Sequence, residues 1–203
     1  MSPQLLRRFI FFMALLIVFG GLTFLIFGDK LTREPGDFET RMGDQRLQDG
    51  LYDQALQHFE QALEAAPDHR GALMGRALVF IQTERYDEAL AQLDHLIVFL
   101  TDTLEDDDAT GRGALAAAYA NRGIVHDRRA DYEMALASYA QALRVDEDSV
   151  SGPGFLHKIL YGSEDVSTVR DRAEYLAEQL KLPAAQRLLR VPELDEKQRM
   201  HKP

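Results

Sequence analysis

Apolar residues recur at spacings of three and four along most of this chain. Between Tyr52 and Ala65 they fall at Ala55, Leu56, Phe59, Ala62 and Leu63, which draws one apolar stripe down the side of a helix. Pro67 follows and cannot continue that helix. Gly50 precedes it, at a place suited to the left-handed end of an earlier helix, and Asp37 is positioned to cap that earlier helix with its carboxylate. The pattern therefore predicts a helical hairpin over about 37–68. Nowhere does a strand-like alternation compete, so the expected fold class is all-α.

The same phrase returns twice. Tyr52-Asp-Gln-Ala-Leu is followed 34 residues later by Tyr86-Asp-Glu-Ala-Leu, and 46 after that by Tyr132-Glu-Met-Ala-Leu. In this register Gly43 falls on Ala77 and Gly123, Phe59 on Leu93 and Tyr139, and Leu63 on Ile97 and Leu143. A period of that length signals stacked hairpins and a binding surface rather than a catalytic pocket. The hairpins are expected at about 37–68, 70–101 and 116–148. The small residues Gly43, Ala77, Gly123, Ala55, Ala89 and Ala135 let paired helices approach, and the large ones fill the space between hairpins.

A small residue in the first helix, then alanine, aromatic, alanine and a closing proline resembles the tetratricopeptide repeat family. The resemblance covers about Asp37 to Asp148 and is strongest in the first repeat. The second has Leu93 and Leu96 where an aromatic and a small residue are usual, and Thr101 for the proline; the third has Glu147 there. The family implies a right-handed α-solenoid of about three hairpins that binds protein segments on its concave side, with no chemistry of its own. Its chaperone-binding subgroup uses a clamp of lysines, asparagines and an arginine. The matching places here hold Thr40, Asp44, Gly75, Ala117 and Asn121, of which only Asn121 fits.

Flanking segments complete the expected organisation. Between the second and third repeats, 102–112 forms an acidic insertion around Glu105-Asp-Asp-Asp, read as a solvated loop or as extensions of its neighbouring helices. It lacks the alternating spacing of a calcium loop. Ser151-Gly-Pro-Gly is a break. A capping helix is expected within 163–190, apolar at Val166, Val169, Ala173, Leu176 and Leu180, followed by a flexible polar tail at 191–203 able to act as a docking peptide. At the other end, a basic stub at 1–8 precedes an uncharged run from Phe9 to Phe27. That run predicts a single transmembrane helix at 9–28, with a linker at 29–36. Arg7 and Arg8 place the stub in the cytoplasm, and so the repeats across an inner membrane in a periplasm.

Charge and composition narrow the function. Setting aside the first 28 residues leaves 21 basic and 33 acidic side chains, a formal charge of −12, which argues against nucleic acid as a partner. With no cysteine there are no disulfides, iron–sulfur clusters or thiol chemistry. The six histidines show no metal-ligand spacing, and no phosphate loop or nucleophile elbow is present. No catalytic, cofactor-binding or metal residues are expected, no cofactor and no small-molecule substrate.

What remains is a groove. Its expected lining is Thr40, Asp44 and Leu47 from the first repeat, Met74, Leu78 and Ile81 from the second, and Ala120, Ile124 and Asp127 from the third. The middle is apolar and the flanks acidic, which suits an amphipathic or apolar protein segment with basic residues. Equally, Met74, Leu78 and Ile81 fit a packed core. The expected function is a membrane-anchored, non-enzymatic scaffold for an envelope or membrane complex. The alternative is a permanent accessory subunit of such a complex, held through the membrane helix, where Gly20-Gly21 permits close approach.

Overall fold

A computed structural model describes residues 9–22, 34–150, 168–190 and 200. The stub at 1–8, the Ser151 break, the start of the expected cap at 163–167 and most of the tail lie outside these residues. Every helix expected of the repeats is present. After α1 (9–22) come α2 (Asp37–Gln48), α3 (Tyr52–Ala65), α4 (Arg70–Gln82), α5 (Tyr86–Thr103), α6 (Ala109–Arg128), α7 (Tyr132–Val150) and α8 (Val169–Lys181). A 3-10 turn follows at Ala184–Gln186.

Each helix packs on the next, from α2 through α7, and α8 packs on α7. In addition α2 meets α4 and α4 meets α6. The first helices of the three hairpins therefore stand side by side as an inner layer, with α3, α5 and α7 as the outer one. Glycine notches set the spacing between layers. The Phe59 ring of α3 is wedged against Gly43 of α2 and Gly75 of α4, and Tyr139 of α7 lies against Gly123 of α6. Both aromatic side chains are completely buried.

The three hairpin turns share a left-handed residue at the same register: Gly50 (φ 72), Glu84 (φ 59) and Ala130 (φ 64). Only the first is a glycine, so the sequence marks only one of them. At the start of α2 the cap is Gly36 (φ 93) rather than Asp37. Asp37 opens the helix, and its carboxylate accepts the Glu34 N–H at 3.0 Å and lies 3.1 Å from His69 Nε2. The acidic insertion is mostly helical. α5 runs on to Thr103, a short turn follows, and Asp108 caps α6 by accepting the Gly111 N–H at 2.7 Å. α7 is interrupted at Asp146 (φ −161, ψ 96), whose carboxylate takes the Ser149 N–H and hydroxyl. α8 begins with a reciprocal cap between Thr168 and Asp171.

One part of the expected fold is corrected. Among the described residues no helix is long and apolar enough to cross a membrane. α1 is described over 9–22, and the rest of the expected span lies outside the described residues. An uncharged run gives the hydropathy that a span needs and does not by itself fix a helix of spanning length. The transmembrane helix at 9–28, and the anchoring drawn from it, are not supported.

Candidate functional site

The residues expected to line the groove all come from the inner layer, α2, α4 and α6. The structure brings them together, and most of them are covered. Met74, Leu78 and Ile81 are part of the apolar cluster that joins α4, α5 and α6. Ala120 and Ile124 belong to a second cluster shared by α6, α7 and α8. None of these five is more than 4% exposed. Thr40 is buried, with its hydroxyl 3.4 Å from His69 Nδ1, while Asp44 and Leu47 are half-buried.

Asp127 has a basic partner within the chain. It is 5% exposed, and Arg172 of α8, itself 4% exposed, donates to both carboxylate oxygens at 2.7 Å. The Tyr139 hydroxyl adds a bond at 3.2 Å. This fork-to-fork geometry is the strong form of an ion pair, and it satisfies a carboxylate that would be costly to bury alone. Arg172 also donates to the Leu189 carbonyl at 3.0 Å, so one guanidinium joins the third hairpin, the cap and the segment after the cap. Sequence reasoning missed Arg172. The signal was there: it stands three residues after Val169 and four before Leu176, on the apolar side of α8.

Open space lies at the N-terminal ends of α4 and α6. A cavity of about 250 Å³ is lined by Glu34, His69, Arg70, Gly71, Met74, Thr110 and Ala114. A neighbouring one of about 370 Å³ shares Glu34 and Arg70 and continues along Phe99, Leu104 and Asp108. Arg70 bridges to Asp108 at 2.6 Å. The Gly111 N–H first, and then Arg70, hold the Asp108 carboxyl below the usual carboxylate range. Met74 forms an apolar floor, and two helix N-termini and a guanidinium form a polar rim. Such a cleft suits an apolar side chain on a peptide whose backbone meets the rim.

Other candidate chemistry resolves into local structure. Asn121, the one clamp-like residue, is fully buried and donates to Met74 Sδ at 3.4 Å. His58 pairs with Glu39 at 2.7 Å, and His69 both caps α4 and meets Asp37. His126 Nδ1 is 3.7 Å from Asp131. Burial, and then the nearby Arg122, push its pKa down. Among the described residues no group of histidines and carboxylates could hold a metal ion.

Comparison with known proteins agrees with this architecture. Residues 40–98 match one tetratricopeptide repeat family model and 116–149 match another. No curated protein matches the chain. Among solved structures, the chain is similar to the first TPR of Spaghetti (RPAP3) bound to the HSP90 peptide SRMEEVD. The identity is 14% and the TM-score 0.52, over 73% of this chain and 94% of that one. At that identity the likeness speaks to the fold alone. The stretches that match tetratricopeptide repeat models thus fall within α2 to α5 and within α6 and α7, and α8 packs on α7.

Proposed function

We propose that this protein is a non-catalytic scaffold that holds a segment of a partner protein along its inner helices. The observation that carries the reading is the cleft floored by Met74 between the N-terminal ends of α4 and α6. It opens on the inner layer, where tetratricopeptide repeats offer a concave side, and it combines an apolar floor with a polar rim. The RPAP3 domain, of the same fold, is bound to a peptide, which supports a peptide-sized partner here. An apolar side chain of the partner enters the cleft while its backbone meets the polar rim beside Arg70 and Thr110.

A photo-crosslinking amino acid at Thr110, an exposed rim position, tests this in cells of the source organism. A discrete protein adduct is expected at Thr110 and not at Val98, which is 59% exposed on the outer layer. Equal adducts from both positions, or none from Thr110, would overturn the reading.

A further inference from the structure

The second and third hairpins carry an arginine at the same register of their inner helices. Arg76 of α4 and Arg122 of α6 stand 46 residues apart, as Tyr86 and Tyr132 do. Each reaches out between the outer helices, and each donates its Nε to the residue sixteen positions on. The acceptors are Gln92 Oε1 at 2.6 Å and the Ser138 hydroxyl at 3.1 Å. Beyond that shared bond the two differ. Arg122 Nη1 meets Asp94 of α5, the preceding outer helix, at 3.0 Å. The acid one repeat earlier is Glu60 of α3, which acts on the charge of Arg76 without coming within ion-pair distance.

Arg76 therefore keeps two terminal nitrogens that no group among the described residues accepts from. It is half-buried, and burial pushes its pKa down, with Glu60 acting in the opposite direction. A guanidinium drawn out of water without a partner is costly. Beside it a cleft of about 470 Å³ is lined by Arg76, Phe80, Glu88, Ala91, Gln92 and His95. The acid in that lining is already engaged, since Glu88 accepts from Arg85 Nε at 2.9 Å and Nη2 at 2.7 Å. Arg85 itself lies over the Phe80 ring, 4.5 Å from its centre. The cleft thus sets an apolar wall beside one unanswered cation, on the outer side of the array.

We infer that this cleft is a second docking site, for a protein segment that presents a carboxylate beside a side chain of leucine or phenylalanine size. The end of the Arg76 guanidinium offers Nη1 and Nη2 as a fork to the two carboxylate oxygens, while Gln92 holds Nε in place. The apolar neighbour lies on Phe80 and Ala91. The chain carries a formal charge of −10, so an acidic segment is accepted only where a cation stands unpaired. This site is separate from the Met74 cleft. Residues two apart leave a helix on nearly opposite sides, so Met74 and Arg76 serve different faces of α4 and one chain can hold two segments.

The test titrates the peptide acetyl-Leu-Glu-Phe-amide into the full-length chain carrying isotope-labelled arginine. It follows the Nε–H signal of Arg76, assigned by its loss in Arg76→Gln, and a saturable shift is expected. Ala91→Glu places a resident carboxylate on the exposed rim and leaves Arg76 and Gln92 in place. That change is expected to weaken binding at least tenfold, as is replacing the probe by acetyl-Leu-Gln-Phe-amide. Arg122→Gln should alter the affinity less than twofold. An unmoved Arg76 signal, equal affinity for the two peptides, or undiminished binding by the Ala91→Glu chain overturns the proposal. The Thr110 adduct should persist in the Ala91→Glu chain, where the Val98 control reads the inner cleft alone. Its loss there would show one site read as two and overturn the outer cleft, whereas a persistent adduct without a peptide-induced shift at Arg76 refutes the outer cleft and leaves the scaffold reading standing.

Discussion

Replacing Gly75 by alanine should destabilise this protein, although the same change in most helix interiors stabilises. Alanine lowers the cost of holding a helix by about 1 kcal/mol relative to glycine. At Gly75 the added methyl would stand 2.3 Å from Phe59 Cε1 and Cζ. The ring cannot swing away, because Gly43 on its other side presents the same problem: a methyl there would be 2.6 Å from Cε1. Phe59 is fully buried, so relief requires the first and second hairpins to separate. Overpacking of this kind costs about 1–3 kcal/mol. Set against the propensity gain, the net loss is up to about 2 kcal/mol, or as much as a few degrees in Tm for a chain of this size. Gly113→Ala is the control. Its nearest neighbour is the Ser149 hydroxyl at 3.1 Å, which can rotate, so that change should be neutral or stabilising by up to about 1 kcal/mol. Phe59→Leu in the Gly75→Ala background should recover stability, with a coupling of about 1 kcal/mol or more in a urea-denaturation cycle. If Gly75→Ala raises Tm as Gly113→Ala does, the notch argument fails.

Three further outcomes follow from the same geometry. Arg172→Met leaves Asp127 buried without its partner, at a cost of about 3–5 kcal/mol, whereas Asp127→Leu/Arg172→Leu removes both charges and costs far less; amide exchange of α8 separates the two, and equal loss would refute the buried pair. Ala130→Gly relieves a left-handed alanine and should gain about 0.5–1 kcal/mol, read as a higher Tm, with Glu84→Gly changing in the same direction. Burial lowers the folded-state pKa of His126, so the unfolded chain binds its proton more readily. The stability this group contributes is present at neutral pH and is lost as pH falls through its unfolded pKa, about 6.5. His126→Gln should flatten that part of the Tm–pH curve, and an identical slope in both proteins would rule the histidine out.

Much of the architecture could be read from the residues because hairpin packing depends on local size. The notch at Gly43, the ring at Phe59 and the stop at Pro67 each specify a short-range relation, and the structure keeps all three. The left-handed turn residues were legible only at Gly50. At Glu84 and Ala130 the tertiary fold imposes the conformation on residues that do not ask for it. The start of α2 was misread for a related reason: Asp37 has the side chain of a cap, but Gly36 already supplies the turn, leaving that carboxylate for His69. The uncharged run at the N-terminus has the hydropathy of a span, yet among the described residues no helix is long and apolar enough to cross a membrane.

The candidate site was legible as a set of positions and not as an environment. An apolar side chain at an inner-helix position has the same hydrophobicity whether it lines a groove or fills a core. The difference lies in what stands opposite, and that comes from residues more than forty positions away. Asp127 shows it most clearly. Read along α6 it is an acid at the mouth of a groove, suited to a basic partner. In the folded chain that partner is Arg172, which belongs to the same protein. The same logic extends to Met74, whose Sδ accepts from Asn121 of α6 within the chain.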